Sequence, residues 1–235
     1  MVSFESALVL GVIGLYLYDS IMLLKINELI IVNSAGKWSY KFPIFGYQLL
    51  RKYPLITNVF TPSYVVFKTF WPGGGDCASP KKIESFIKLL WPVQMLVTVL
   101  LCLFFVFLPI VSFVYGSGVI LLGVFLLIYV VIVGVLTFVF FLRKKLHLTN
   151  YKFISIAFES LVCPPLSMNI VKKITLQHPN IGDPYLFSKN TFDSDTLDHF
   201  VVSLASAVDR NLKFLERGSS HYLYLDEYLH QIKKD

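Results

Sequence analysis

His178 stands five positions ahead of Asp183, and His221 stands five ahead of Asp226. A histidine held by a carboxylate is a general base: the carboxylate orients the ring, and the imidazole takes a proton from a hydroxyl. The pair needs a loop or a helix start, because residues i and i+5 do not share a helix face. The run from His178 to Pro184 reads as a loop, so that pair qualifies; His221 falls in a stretch read as helical. Asp195/His199 and Asp226/His230 are spaced i,i+4, each pair on one face of a helix. If those helices were antiparallel neighbours, they would offer two carboxylates and two imidazoles to a transition metal. Cys163 follows Glu159 by four residues and precedes Pro164 and Pro165. As a nucleophile it would need Lys172 or His178 close by to lower its pKa; at a helix break it reads as a structural cysteine. The chain has no His-Glu-x-x-His and no Cys-x-x-Cys, and the glycines at 73–75 are not followed by Lys-Ser/Thr. Neither a metal nor a cofactor is therefore expected.

The His-x4-Asp spacing resembles that of membrane-bound glycerolipid acyltransferases, where the pair activates a hydroxyl against an acyl thioester. That resemblance implies a lipid acyltransfer for His178 and Asp183. The family's Phe-Pro-Glu-Gly-Thr-Arg-like block has no counterpart here, since Leu215–Ser220 does not supply it.

The elements that must position these residues follow from the distribution of charge. The chain is 55% hydrophobic and 15% charged, against about 25% charged in an average soluble domain. Residues 89–142 contain no Asp, Glu, Lys or Arg at all. A bilayer core of about 30 Å takes roughly 20 helical residues, so this stretch predicts two spans, 89–113 and 119–142, joined at Gly116–Gly118. Residues 7–24 predict a first span. A cleaved signal peptide would begin with positive charge, whereas Met1–Glu5 carries only an acid. Asp19 lies near the inner end of that span, within reach of headgroups or of a cation. Lys25, Lys81, Lys82, Lys88, Arg143, Lys144 and Lys145 all flank one side, which predicts the N-terminus outside and residues 25–88 and 143–235 in the cytoplasm. Cys77, Cys102 and Cys163 form no disulfide on this reading.

Residues 25–88 read as β-structure: 28–33 and 38–42 as strands around a glycine turn, and 64–71 as a further β-rich run. Aromatic rings alternate with nine cations there. Trp38, Tyr40, Lys41, Arg51, Lys52, Lys68 and Trp71 predict a face against anionic lipid headgroups or a protein partner rather than nucleic acid. Residues 143–235 read as helical, with 153–163 continuing from the last span and 166–177 resuming after the prolines. An amphipathic helix over 196–217, capped by Asp193–Asp195 and ended by Gly218, carries Arg210, Lys213 and Arg217 as a partner-binding face. Residues 220–234 read as a last helix, with 221–225 also fit for a strand.

The fold class expected is a mainly α membrane protein with three transmembrane helices (1–24 and the hairpin 89–142), a small β-containing cytoplasmic insert (25–88) and a helical cytoplasmic region (143–235). The function expected is a non-catalytic anchor or accessory subunit in an inner membrane of bacterial type, docking a protein partner or a second copy. The rivals are a lipid- or metal-dependent enzyme and a subunit of an oligomeric channel or export assembly. His178→Ala separates the first two: the anchor reading expects unchanged membrane yield and unchanged phenotype, and an enzyme would lose its turnover.

Overall fold

The protein is seen in a computed structural model that describes residues 4–34, 36–44, 48–57, 61–73, 79–115, 118–177 and 181–234. It is mostly helical, with small antiparallel sheets. Helix α1 (Phe4–Ser20) leads into strand β1 (Ile21–Leu24), then β2 (Glu28–Ser34), β3 (Lys37–Lys41), β4 (Tyr53–Ile56) and β5 (Val65–Phe70). The helices α2 (Pro80–Cys102), α3 (Leu108–Ile110), α4 (Gly118–Leu142), α5 (Asn150–Val162), α6 (Ile170–Thr175), α7 (Pro184–Thr191), α8 (Ser194–Leu212) and α9 (Ser220–Lys234) follow. Contacts divide the chain into two compact units, each discontinuous in sequence: 1–22, 56–65 and 85–178 in the first, 23–55, 66–84 and 179–235 in the second.

Two helices, lying mainly in the first unit, are long and apolar enough to cross a membrane. One runs Pro80–Val114 through α2 and α3, and the other is α4. The first winds into π-helical turns at Leu103–Phe107 and Val111–Tyr115. Pro109 accounts for the loosening: it has no N–H to give the Phe105 carbonyl, and its ring crowds that carbonyl. The segment over 56–65 is tied to this helix by Gln94 Nε2, which donates to the Ser63 carbonyl at 2.8 Å.

The predicted first span is corrected. Helix α1 stops at Ser20, and residues 21–24 are a strand paired with β4. Its 17 residues reach about 25 Å, short of a full bilayer core. At its end the Ser20 hydroxyl donates back to the Tyr16 carbonyl at 2.8 Å. The Ser20 carbonyl in turn accepts from the Thr57 hydroxyl at 3.2 Å, outside the helical ladder.

Residues 153–163 do not continue from α4. The chain turns over Arg143–His147, with His147 at φ 55°, and restarts at Thr149, whose hydroxyl accepts from the Lys152 N–H. The residues after Cys163 form a 3₁₀ turn, Pro164–Asn169, and then the short α6, instead of one helix over 166–177. Cys163 is the C-cap of α5, since a residue ahead of proline avoids helical angles.

The second unit is built on a three-stranded sheet in the order β3-β2-β5. Strand β2 is central and buried from Glu28 to Asn33, and its middle, Leu29–Val32, is an apolar run. Strands β2 and β3 pair antiparallel, with Ile30 opposite Lys41 and Ser34 opposite Lys37. Between them Gly36 stands at φ 88°, which a residue with a Cβ resists. Helix α8 begins where expected, with the Asp193 carboxylate accepting from the Thr196 N–H at 2.8 Å. It ends at Leu212 rather than 217, and Gly218 (φ 92°) sits in the loop before α9. Residues 220–234 are helix, which excludes the strand alternative for 221–225.

One contact in this unit admits no extra atom. A Cβ on Gly73 would lie 2.6 Å from Asp183 Cα and 2.8 Å from Asp183 N, both backbone atoms that cannot swing aside. Gly73→Ala is expected to cost about 1–3 kcal/mol in thermal unfolding in detergent. Gly123→Ala, with nothing within 4 Å of the new methyl, is expected to unfold like the parent.

Candidate functional site

Three clusters gather the polar chemistry of the described residues. The first is Asp183. It is buried at the N-cap of α7, where its Oδ1 accepts from the Tyr185 N–H at 2.8 Å and the Leu186 N–H at 3.1 Å. The Tyr228 hydroxyl of α9 also donates to Oδ1 at 3.1 Å, and the Gly73 N–H donates to Oδ2 at 3.0 Å. Four donors on one carboxylate make Asp183 a structural node that joins α7, α9 and the loop after β5. Its sequence partner His178 lies outside the described residues. Pro72, Gly73, Asp183, Tyr224, Glu227 and Gln231 line a hollow of about 230 Å³ beside the node.

The second cluster lies between the end of α8 and α9. Asp209, Lys213, Arg217, Asp226, His230 and Lys233 line a hollow of about 480 Å³. Lys213 Nζ is 2.9 Å from Asp209 Oδ2 and holds that exposed carboxyl below its ordinary range by hydrogen bond and charge. His230 Nε2 is 3.9 Å from Asp226 Oδ2. Of the three cations read as a helix face, only Arg210 is within α8; Lys213 is its C-cap and Arg217 follows in the loop. Lys213 and Arg217 share the hollow, and Arg210 is exposed elsewhere on the helix. The imagined metal site does not assemble. Asp195 and His199 occupy the first turns of α8, while Asp226 and His230 lie beside its last turn, about 20 Å away by helical rise. Among the described residues, no three His, Cys, Asp or Glu side chains could hold a metal ion.

The third cluster is in the first unit; the sequence marks Asp19 in it, and Glu159 and Lys172 only as neighbours of Cys163. Lys173 Nζ is 2.7 Å from Glu159 Oε2 of α5 and 3.3 Å from Asp19 Oδ2 of α1. The buried Lys172 ammonium donates to the Asp19 backbone carbonyl. Asn169 Nδ2 donates to the Ser20 hydroxyl at 3.3 Å. Asp19 therefore pairs within its own chain. Two ammoniums and two carboxylates cancel, which makes the cluster a self-neutralised junction. The available signal was Lys172-Lys173 set inside the apolar run 170–174. Cys163 is half-buried and gives its N–H to the Glu159 carbonyl, as a helix end requires.

The aromatic residues read as a lipid-facing surface are placed otherwise. Trp71 is fully buried. Trp38 packs on Phe67 and edge-on to Phe187, at 5.3 Å between ring centres. Tyr40 packs between Phe42, Phe192 and Phe200 and bonds the Ser203 hydroxyl at 3.2 Å. These rings fasten the sheet to α7 and α8, since aromatic side chains carry large apolar area and pack edge-on or stacked. Arg51 and Lys52 are exposed, Lys41 is half-buried, and Lys68 pairs with Glu28 at 2.8 Å.

Comparison of the chain with protein-family models, with curated proteins and with solved structures finds no match.

The Asp183 node has a pH signature. Burial, with the Asp183 charge beside it, drives the Tyr228 phenol far above its ordinary value of 10. The folded chain then holds this proton to higher pH than the unfolded chain. The resulting stability is complete below pH 10 and declines as pH rises beyond it. Tyr228→Phe is expected to lose about 1 kcal/mol at pH 8 and to show a shallower alkaline decline in unfolding followed from pH 8 to 11.

Proposed function

We propose that the protein is an integral membrane anchor or accessory subunit, without catalysis, that presents its second unit to a protein partner. The observation that carries this reading is the exposure of α4. Of its most apolar stretch only 22% is buried, and of the most apolar stretch within Pro80–Val114 only 39%. The core helix of a soluble protein buries most of its surface, and apolar faces this large are stable in a bilayer rather than in water. Lys81, Lys82 and Lys88 flank one end of the pair and Arg143, Lys144 and Lys145 the other, so both ends belong on the cytoplasmic side. Arg143 rests its guanidinium over the Phe140 ring at 4.3 Å, an arrangement suited to a headgroup boundary.

The partner-facing surface on this reading is the α8–α9 hollow. It mixes Lys213, Arg217 and Lys233 with Asp209 and Asp226, and Phe214, next to Lys213 in the chain, is 71% exposed. An aromatic ring beside cations at a concave edge is the composition of interface hot spots. The Asp183 carboxylate, already engaged by four donors, favours recruitment over acyltransfer.

Membranes washed with alkaline carbonate are expected to retain the chain, and release into the supernatant would refute the anchor. In mild detergent, native mass spectrometry is expected to find a second polypeptide at fixed ratio. The double variant Lys213→Glu, Arg217→Glu is expected to lose that polypeptide about ten-fold, the effect of a few hot-spot contacts. A chain that stays in the membrane but remains alone, or whose partner ignores the double variant, would remove the docking assignment.

A further inference from the structure

Helix α5 is amphipathic in an unusual sense, with two different non-aqueous faces. Ile156 and Ser160 are buried against the protein. On the outer side Tyr151, Ile154, Phe158, Leu161 and Val162 form one exposed apolar stripe, with Phe158 at 67%. Its path is fixed by two contacts with α4. The rings of Phe140 and Phe153 lie 5.6 Å apart, and the Tyr129 hydroxyl donates to the Leu161 carbonyl at 3.3 Å. From the first contact to the second, α4 is traced backwards as α5 is traced forwards, so the two helices run antiparallel. Every buried residue of α4 (Ile128, Ile132, Val135, Leu136 and Val139) lies between positions 128 and 139, alongside these two contacts.

Depth follows from helical rise. Helix α4 has 25 residues and is about 38 Å long, so an apolar slab of about 30 Å must end within about 8 Å of Leu142. Tyr129 is 13 residues from Leu142, about 20 Å along the axis. The Leu161 carbonyl bonded to it then lies at least about 12 Å inside the slab, near its middle. There the chain breaks at Cys163–Pro165 and returns through the 3₁₀ turn and α6.

From this geometry we infer that α5, the Pro164–Asn169 turn and α6 form a re-entrant element. It enters the bilayer beside the C-terminal end of α4, reaches mid-depth and returns to the same side, with the outer stripe of α5 against lipid acyl chains. The inference rests on α4 spanning a membrane, as proposed above. Irregular backbone survives at that depth only when protein encloses it, and Pro165, Ser167, Met168 and Asn169 are buried, with the turn packed against α1, α4 and α5. Charged groups at that depth must pair with one another or with backbone carbonyls. Lys173 pairs with Glu159 and Asp19, and Lys172 is taken by the Asp19 carbonyl.

The test uses the full chain in sealed vesicles, with Cys77, Cys102 and Cys163 replaced by serine and single cysteines introduced by Tyr151→Cys, Phe158→Cys or Val130→Cys. All three positions are exposed on the protein, so protein burial does not shield them. A membrane-impermeant maleimide, supplied to both sides, is expected to label Tyr151→Cys and to label the other two at least about ten-fold more slowly until detergent is added. Phe158→Cys reacting as fast as Tyr151→Cys, with Val130→Cys still protected, overturns the re-entrant path and leaves the spanning α4 intact. Rapid labelling of all three overturns the spanning reading itself. Separately, Phe158→Trp is expected to be quenched by lipids brominated in mid-chain. A protected Phe158→Cys together with an unquenched Phe158→Trp means that a second copy covers the stripe, which overturns the acyl-chain contact.

Discussion

Lys173 stands between two carboxylates that come from distant parts of the chain, Glu159 of α5 and Asp19 of α1, and the architecture of the first unit depends on that meeting. Helix α1 has little else that is specific to offer, being apolar on all sides. The junction sets where it stops, because the Asp19 carbonyl receives Lys172 and the Ser20 hydroxyl receives Asn169. It also holds the returning segment after the Pro164–Pro165 break against α5. The Glu159 carboxylate is 42% exposed and its pair adds little net stability, whereas Lys173 and Asp19 are mostly enclosed, so loss of either leaves the other charge poorly compensated. Such a junction selects one arrangement of apolar helices that would otherwise pack in several ways.

A single carboxylate does comparable work in the second unit, by a different route. Asp183 accepts four hydrogen bonds from three separate segments, and Gly73 approaches its backbone so closely that no side chain fits. Around this point the aromatic rings of β3 meet those of α7 and α8. Polar satisfaction at Asp183 and ring packing at Trp38 and Tyr40 are complementary: the first fixes where the helices start, and the second fills the space between them and the sheet. The α8–α9 hollow, with its mixed charges, lies at the other end of α8, away from that node.

The legible parts of the chain were those that local chemistry decides. A run of residues without charge marks α4 and the apolar part of α2, Gly36 marks the β2–β3 turn, and Asp193 marks the start of α8. Proline at 164 and 165 marks the end of α5. What misled was composition read as surface: rings at 38, 40 and 71 alternating with lysines describe a headgroup-facing sheet as well as they describe a strand with one face in a core. Only the neighbours Phe187, Phe192 and Phe200, some 150 residues on, distinguish the two. The paired Asp/His motifs misled for a related reason, since i,i+4 spacing fixes a face of one helix and says nothing about which end of it meets the next.

The sequence by itself determined two long apolar helices, a β-containing insert between them and the first helix, and a helical remainder. These follow from hydropathy, turn residues and caps acting over a few neighbours, and such terms are additive along the chain. The tertiary structure alone decided that residues 23–55 and 66–84 share a unit with 179–235, that α1 ends at Ser20, and that Asp19 meets Lys173. These outcomes depend on burial and on pairing of charge between segments far apart in sequence. The energy of such a contact belongs to both partners at once and leaves no periodicity in either.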